Sequence, residues 1–126
     1  MAGPLQVELV AADRVVWSGE ASEVVARTSE GDLGVLPDHA PLLSLLIPGV
    51  VMIRPANGDA IVQAAVVDGF LSVADNRVSI LSENTWMLEE VDESEVRHEF
   101  AAADAGDDDE ARRVALAKLR LLGKTA

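Results

Sequence analysis

Short apolar segments bounded by turn residues follow one another from residue 5 to residue 82, and this punctuation limits the fold more than any other feature. It opens with alternation. Leu5, Val7 and Leu9 fall on one face and Gln6 and Glu8 on the other, the period of a half-buried strand. Asp13-Arg14 reads as a turn, residues 15–18 as a return strand closed by Gly19, and residues 22–28 as another strand. Gly31, Gly34, Pro37 and Pro41 then shape the backbone around a four-residue strand, 33–36. Residues 42–47, nearly all apolar, read as a buried strand, with Leu42 and Leu43 in the core. Residues 50–54 and 60–67 flank a hairpin loop in which Asn57-Gly58 supplies left-handed geometry. Asp68-Gly69 and Asp75-Asn76 set off two more strands, 70–74 and 77–82. Eight or nine strands at this spacing predict an all-β antiparallel sandwich or flattened barrel over residues 1–88.

The character changes near Glu89. Residues 89–110 hold eleven acids against the single base Arg97, whereas residues 111–126 hold five bases and no acid. Asp92 with Glu95, and Asp107 with Glu110, have the spacing of capping boxes for two helices. Gly106 separates them and Gly123 follows the last apolar residue, as a C-cap should. Acids at the helix starts and bases near the final end match the macrodipole. In projection Ala111, Val114, Ala115, Leu119, Leu121 and Leu122 share a broad apolar arc, with Arg112, Arg113 and Arg120 opposite. The first helix offers only Val96, Phe100 and Ala103 as a stripe. Residues 89–126 therefore read as an α-helical hairpin, too short to be stable alone in water and packed weakly enough to leave its place.

Composition narrows the function. With no cysteine, disulfides and thiolate metal sites are excluded. A net charge of −12 and only four aromatic residues, Trp17, Trp86, Phe70 and Phe100, argue against nucleic acid, which needs a basic footprint and stacking rings. The apolar run 42–53 is broken by Pro48-Gly49 and is shorter than the roughly 20 residues a bilayer span needs, so no membrane insertion is expected. Residues 1–4 carry no basic region or Arg-rich presequence, and the chain is expected to stay where it is made.

Catalytic and metal motifs are lacking. His39 stands beside Asp38 with no nucleophile or second acid in a motif near it, and reads as a loop or contact residue; His98 reads as solvated. The acids from Asp104 to Glu110 are consecutive rather than alternating, so a helix start suits them better than a calcium loop. Gly31-Asp32-Leu33-Gly34 lacks the lysine and following helix of a phosphate loop. No cofactor, metal or catalytic residue is assigned.

Gly31-Asp-Leu-Gly-Val-Leu-Pro-Asp-His-Ala-Pro-Leu-Leu43, followed by Pro48-Gly49 and by Asp68-Gly69-Phe70-Leu71-Ser72-Val73, resembles the epsilon subunit of F-type ATP synthases. The resemblance spans residues 5–81 and agrees in the order and spacing of both blocks. It implies a non-catalytic central-stalk subunit that passes rotation of the membrane ring to the catalytic head through the gamma subunit. It also implies a peripheral position at the cytoplasmic face of a bacterial plasma membrane. By that resemblance Ser29, Glu30, Gly31 and Asp32 would meet the polar loops of the rotor ring, and His39, Pro41 and Ser44 would face gamma. Arg112, Arg113, Lys118 and Arg120 would belong to a mobile regulatory tail that, when extended, rises toward acidic segments of the catalytic alpha and beta subunits. One departure stands out. Family members that bind ATP carry Ile/Leu-Asp, two residues, then Arg-Ala; here Val91-Asp92 is followed by Glu95-Val96, an acid where a phosphate-neutralising arginine belongs. Weak or no nucleotide binding is expected. The rival reading from another class is a free-standing acidic sandwich that binds a peptide or carbohydrate through its loops.

Overall fold

The opening alternation holds in three dimensions: in β1 (Leu5–Ala11) Leu5, Val7, Leu9 and Ala11 are buried while Gln6 and Glu8 are exposed. The computed structural model describes residues 3–124. The remaining strands are β2 (Val15–Thr28), β3 (Gly31–Val35), β4 (Leu42–Leu46), β5 (Gly49–Pro55), β6 (Val62–Ala74) and β7 (Arg77–Met87). Pairings run β2-β1-β7-β6-β5 and return to β2, so the sheet closes on itself; β4 joins β6 to the end of β2, and β3 lies on β2. Seven strands form the sandwich, with Leu5, Leu9, Ile53, Leu71 and Ile80 fully buried between its layers.

Seven strands appear in place of eight or nine because two expected breaks are bends. Gly19 does not close a strand: β2 runs through it, paired with Val7, under the Trp17 ring. The first half of β2 pairs with β1 and the second with β3 and β5, so one strand serves both layers. Asp68-Gly69 likewise bends β6 without ending it. Asp68 takes a positive φ of 53°, and the Ser82 hydroxyl fills the interrupted ladder, accepting from the Val67 N–H at 3.2 Å and lying 2.9 Å from the Val67 carbonyl. By contrast Asp75 and Asn76, at φ 50° and 62°, form a true two-residue hairpin turn of the kind that matches strand twist. Two further expectations change. β1 and β7 pair in parallel, the one parallel ladder among otherwise antiparallel ones. And β4 is not a uniformly buried strand: Ser44 and Leu46 point inward while Leu43 and Leu45 face out. Leu43 is 72% exposed and is not core.

After β7 a single 3-10 turn, Leu88–Glu90, leads to α1 (Glu93–Ala105) and α2 (Asp109–Leu121). The Glu90 carboxylate accepts from the Met87 N–H at 3.0 Å and from Arg14 Nη2 at 2.7 Å, which ties this connection to the β1–β2 turn. Asp92 caps α1, accepting from the Glu95 N–H at 3.1 Å. The cap of α2 is Asp108, which accepts from the Ala111 N–H at 3.1 Å. The expected cap, Asp107, instead occupies the left-handed turn at φ 54°, a conformation Asp adopts more readily than most residues.

The broad apolar arc expected on α2 resolves into two stripes. Ala117 and Leu121 pack with Ala65, Val50 and Trp86 of the sandwich, whereas Ala115 and Leu119 pack with Val96 and Phe100 of α1. Helix α2 is thus the middle layer. Alanine at both Ala65 and Ala117 lets the helix lie close to β6, so Ala65 is buried beneath α2 while Ala64 and Val66 are buried in the sandwich core.

Candidate functional site

The outer face of β4, β6 and β7 carries a strip of large apolar side chains. Leu45 pairs with Phe70 and Phe70 with Leu81, and residues directly opposite across antiparallel strands share a face. Leu43 stands two residues from Leu45 on that face. Leu43, Leu45, Phe70 and Leu81 are 72%, 59%, 46% and 43% exposed. Beside them a groove of about 550 Å³ runs between Ala11, Leu45, Asp68 and Phe70. Sequence reading missed this strip because residues 42–47 look like a core run; what decides the matter is Ser44, which is buried and sets the opposite parity.

The sequence-derived contact residues surround this strip without merging into one site. Ser29, Glu30, Gly31 and Asp32 form the exposed tip of the β2–β3 hairpin. Buried Thr28 organises the tip: its hydroxyl donates to the Gly31 carbonyl at 2.7 Å and accepts from the Glu30 N–H at 3.2 Å. Gly31 sits at φ 118°, which other residues rarely adopt. Asp32 lies 3.8 Å from Arg27, and Glu30 has no ion pair among the described residues. The tip is fastened to β4 by the Ser29 N–H, which donates to the Leu45 carbonyl at 3.0 Å.

His39 and Pro41 lie before the other end of β4. The loop is braced at Asp38, whose N–H donates to Asn76 Oδ1 at 2.6 Å while Asn76 Nδ2 donates back to Asp38 Oδ1 at 3.2 Å. His39 Nδ1 lies 2.7 Å from the Ala40 carbonyl, a local contact within an open loop. Ser44 is 8% exposed and faces inward, so its side chain is not part of this surface; Leu43 and Leu45 are what β4 presents there.

The four tail bases also separate. Arg112 is enclosed by Asp109, Asp104 and Asp107, with its Nε 3.3 Å from Asp104, and the hydrogen bond to Asp109 raises its pKa. It closes the α1–α2 turn and is not the free surface base that helical projection implies. Lys118 is also engaged, 3.0 Å from Glu99 and over the Trp86 ring. Arg113 and Arg120 are exposed and make no ion pair among the described residues. Val91, Asp92 and Glu95 mark the start of α1, where Glu95 is exposed. No helix among the described residues is long and apolar enough to cross a membrane.

Comparison with known proteins bears on the fold and the family. Residues 4–87 match the family described as ATP synthase, Delta/Epsilon chain, beta-sandwich domain. The ATP synthase epsilon chain of Streptomyces avermitilis is 51% identical over 120 residues, 95% of this chain and 96% of that one. That of Corynebacterium glutamicum is 44% identical over 124 residues, 97% and 95% of the two chains. Among solved structures, a chain of the Euglena gracilis mitochondrial ATP synthase (OSCP/F1/c-ring) superposes with a TM-score of 0.77 at 26% identity, covering 95% of this chain and 79% of that one. A chain from the central stalk and c-ring of the Tetrahymena thermophila enzyme shares the fold, with a TM-score of 0.58 at 22% identity, covering 76% and 72%. A matched sandwich and a likeness that continues through both helices lead to one conclusion: the chain belongs to the ATP synthase epsilon-chain family.

Proposed function

We propose that this chain is a non-catalytic rotor subunit of the central stalk, held to the gamma subunit by the outer face of β4, β6 and β7. The observation that carries this reading is the strip Leu43–Leu45–Phe70–Leu81. Three large apolar side chains in register, with Leu43 beside them on the same face of a highly charged protein, are a surface that gains from being covered. Membership of the epsilon-chain family supports a partner within the ATP synthase stalk and replaces the rival reading of a free-standing peptide- or carbohydrate-binding sandwich. His39 and Pro41 extend the same face at one end of β4. At the other end the acidic tip, Ser29 to Asp32, would meet a basic residue on the polar loops of the membrane ring. The complex would lie at the cytoplasmic face of a bacterial plasma membrane, with this chain peripheral.

Load transfer needs stiffness, and a closed sheet with a close-packed interior resists deformation. Residues 1–88 then act as the coupling unit and residues 89–126 as the regulatory one. With α2 only 13 residues long, roughly 20 Å at 1.5 Å per residue, the extended tail has a short reach and restrains hydrolysis modestly. Reconstitution tests the division. Added to a complex depleted of its own epsilon chain, both the full chain and a chain ending at Leu88 should restore proton-driven synthesis, and only the full chain should slow ATP hydrolysis. Failure of both to restore synthesis would refute the rotor assignment.

Glu30 and Asp32 changed together to Lys give a second, local test. Both side chains are exposed, so the fold should be kept, while charge at a rim contact sets register and partner choice. Coupled synthesis should fall several-fold with gamma binding unchanged. Normal synthesis in that variant would show that the tip does not meet the ring.

A further inference from the structure

Helix α2 touches the sandwich with one stripe and α1 with another, and Lys118 projects from the flank between them. On a helix turning 100° per residue, Lys118 lies about 60° from both Leu121 on the sandwich side and Ala115 on the α1 side. Its side chain is only 12% exposed. The ammonium Nζ stands 4.2 Å from the centre of the Trp86 ring on β7 and 3.0 Å from the Glu99 carboxylate on α1. One cation therefore contacts a side chain from each of the other two bodies at the seam where sandwich, α1 and α2 meet.

We propose that Lys118 is a three-way latch, coupling the docking of α2 on the sandwich to the closure of α1 on α2. Three features support the assignment. First, α1 packs on α2, and the main helix contacts with the strands come from α2, so α1 is held to the sandwich largely through α2. Second, the apolar seam beneath α2 is small, built on Ala65, Ala117, Leu121, Val50 and Trp86, so a cation over the indole is a sizeable part of what holds it. A cation–π contact is worth a factor of roughly 2 to 30 in such an equilibrium, the larger value where water is excluded. Third, a lysine this covered keeps its charge favourable only while both partners stay in place; losing either leaves an ammonium that draws water into the seam. The aliphatic stem meanwhile fills the groove, which a shorter polar side chain would leave open.

The latch belongs to the chain by itself, so its test is independent of assembly into a stalk. Amide hydrogen exchange is measured on the full chain, peptide by peptide, for the parent, Lys118→Met, Lys118→Arg, Trp86→Leu and the double variant Lys118→Met/Trp86→Leu. Methionine keeps the apolar stem and removes the charge. Lys118→Met should speed exchange about tenfold in both α1 and α2 while the strands keep their protection, within the range expected for a covered cation–π contact. Lys118→Arg should restore the parent rates, and Lys118→Met should add nothing once Trp86 is Leu. Parent-like rates in Lys118→Met would overturn the proposal. So would loosening of α2 with α1 still protected, or equal loosening of the strands, which would make Lys118 an ordinary packing residue.

Discussion

Replacing Gly69 with alanine should cost the sandwich about 3 kcal/mol, the upper end of what forcing an extra carbon into a packed site usually costs. Gly69 sits where β6 is paired on both sides, with Leu46 of β4 and Ser82 of β7. A Cβ there would overlap the Leu81 carbonyl oxygen and lie 2.8 Å from both the Leu81 carbonyl carbon and Ser82 Cα. These are backbone atoms in a central ladder, so no rotamer change relieves the clash. Relief would mean parting β6 from β7 at the bend where the Ser82 hydroxyl already bridges the ladder, and those hydrogen bonds would go with it. Gly34→Ala is the control. Gly34 is exposed, has nothing within 4 Å of a built Cβ and does not adopt a positive φ, so alanine there should change stability by less than about 0.5 kcal/mol. Urea denaturation of the three proteins decides it. A Gly69→Ala midpoint equal to that of Gly34→Ala would mean that the sheet is looser at its centre than its geometry implies.

That glycine shows what a single sequence conveys and what it withholds. Period-two alternation in β1 gives the buried face outright, because one face meets the core and the other meets water. The change from strands to helices after Met87 is legible for a similar reason: charge segregates along the chain where helix ends demand it. Asp68-Gly69 is legible only as a disturbance. Whether it ends a strand or bends one depends on β7 supplying Ser82 from a distant position, and no local pattern carries that. The two stripes of α2 were hidden the same way, since projection finds an apolar arc but not the number of neighbours dividing it. Lys118 reads as a free base because its acid, Glu99, lies on the other helix, and of the three acids around Arg112 one, Asp104, lies there too. The candidate surface was half visible. The acidic tip and the His39 loop stand out by glycine and proline content, whereas Leu43 and Leu45 imitate core until Ser44 is seen facing inward.

The strip itself supports the second large prediction: Leu45→Asp combined with Phe70→Asp should weaken binding to a gamma-containing complex at least 100-fold. Covering a large apolar side chain contributes about 1.5–3 kcal/mol when burial is complete, and these two face each other in register at the middle of the strip. Central, fully desolvated anchors carry a disproportionate share of interface energy. A carboxylate in their place also has to be stripped of water, which adds to the loss. The folded state tolerates the change better, because Leu45 and Phe70 are 59% and 46% exposed and strand preference alone spans only about 1 kcal/mol. Ile61→Asp provides the contrast: Ile61 is 41% exposed but lies in the β5–β6 connection, before the start of β6 and outside the row that Leu45, Phe70 and Leu81 form. Calorimetric titration against the depleted complex, with far-ultraviolet dichroism to confirm the fold, should place Ile61→Asp within twofold of the parent and the double variant at least 100-fold weaker. If the double variant binds like the parent, gamma is held by another face, and the exposed leucines of β4 need a different partner.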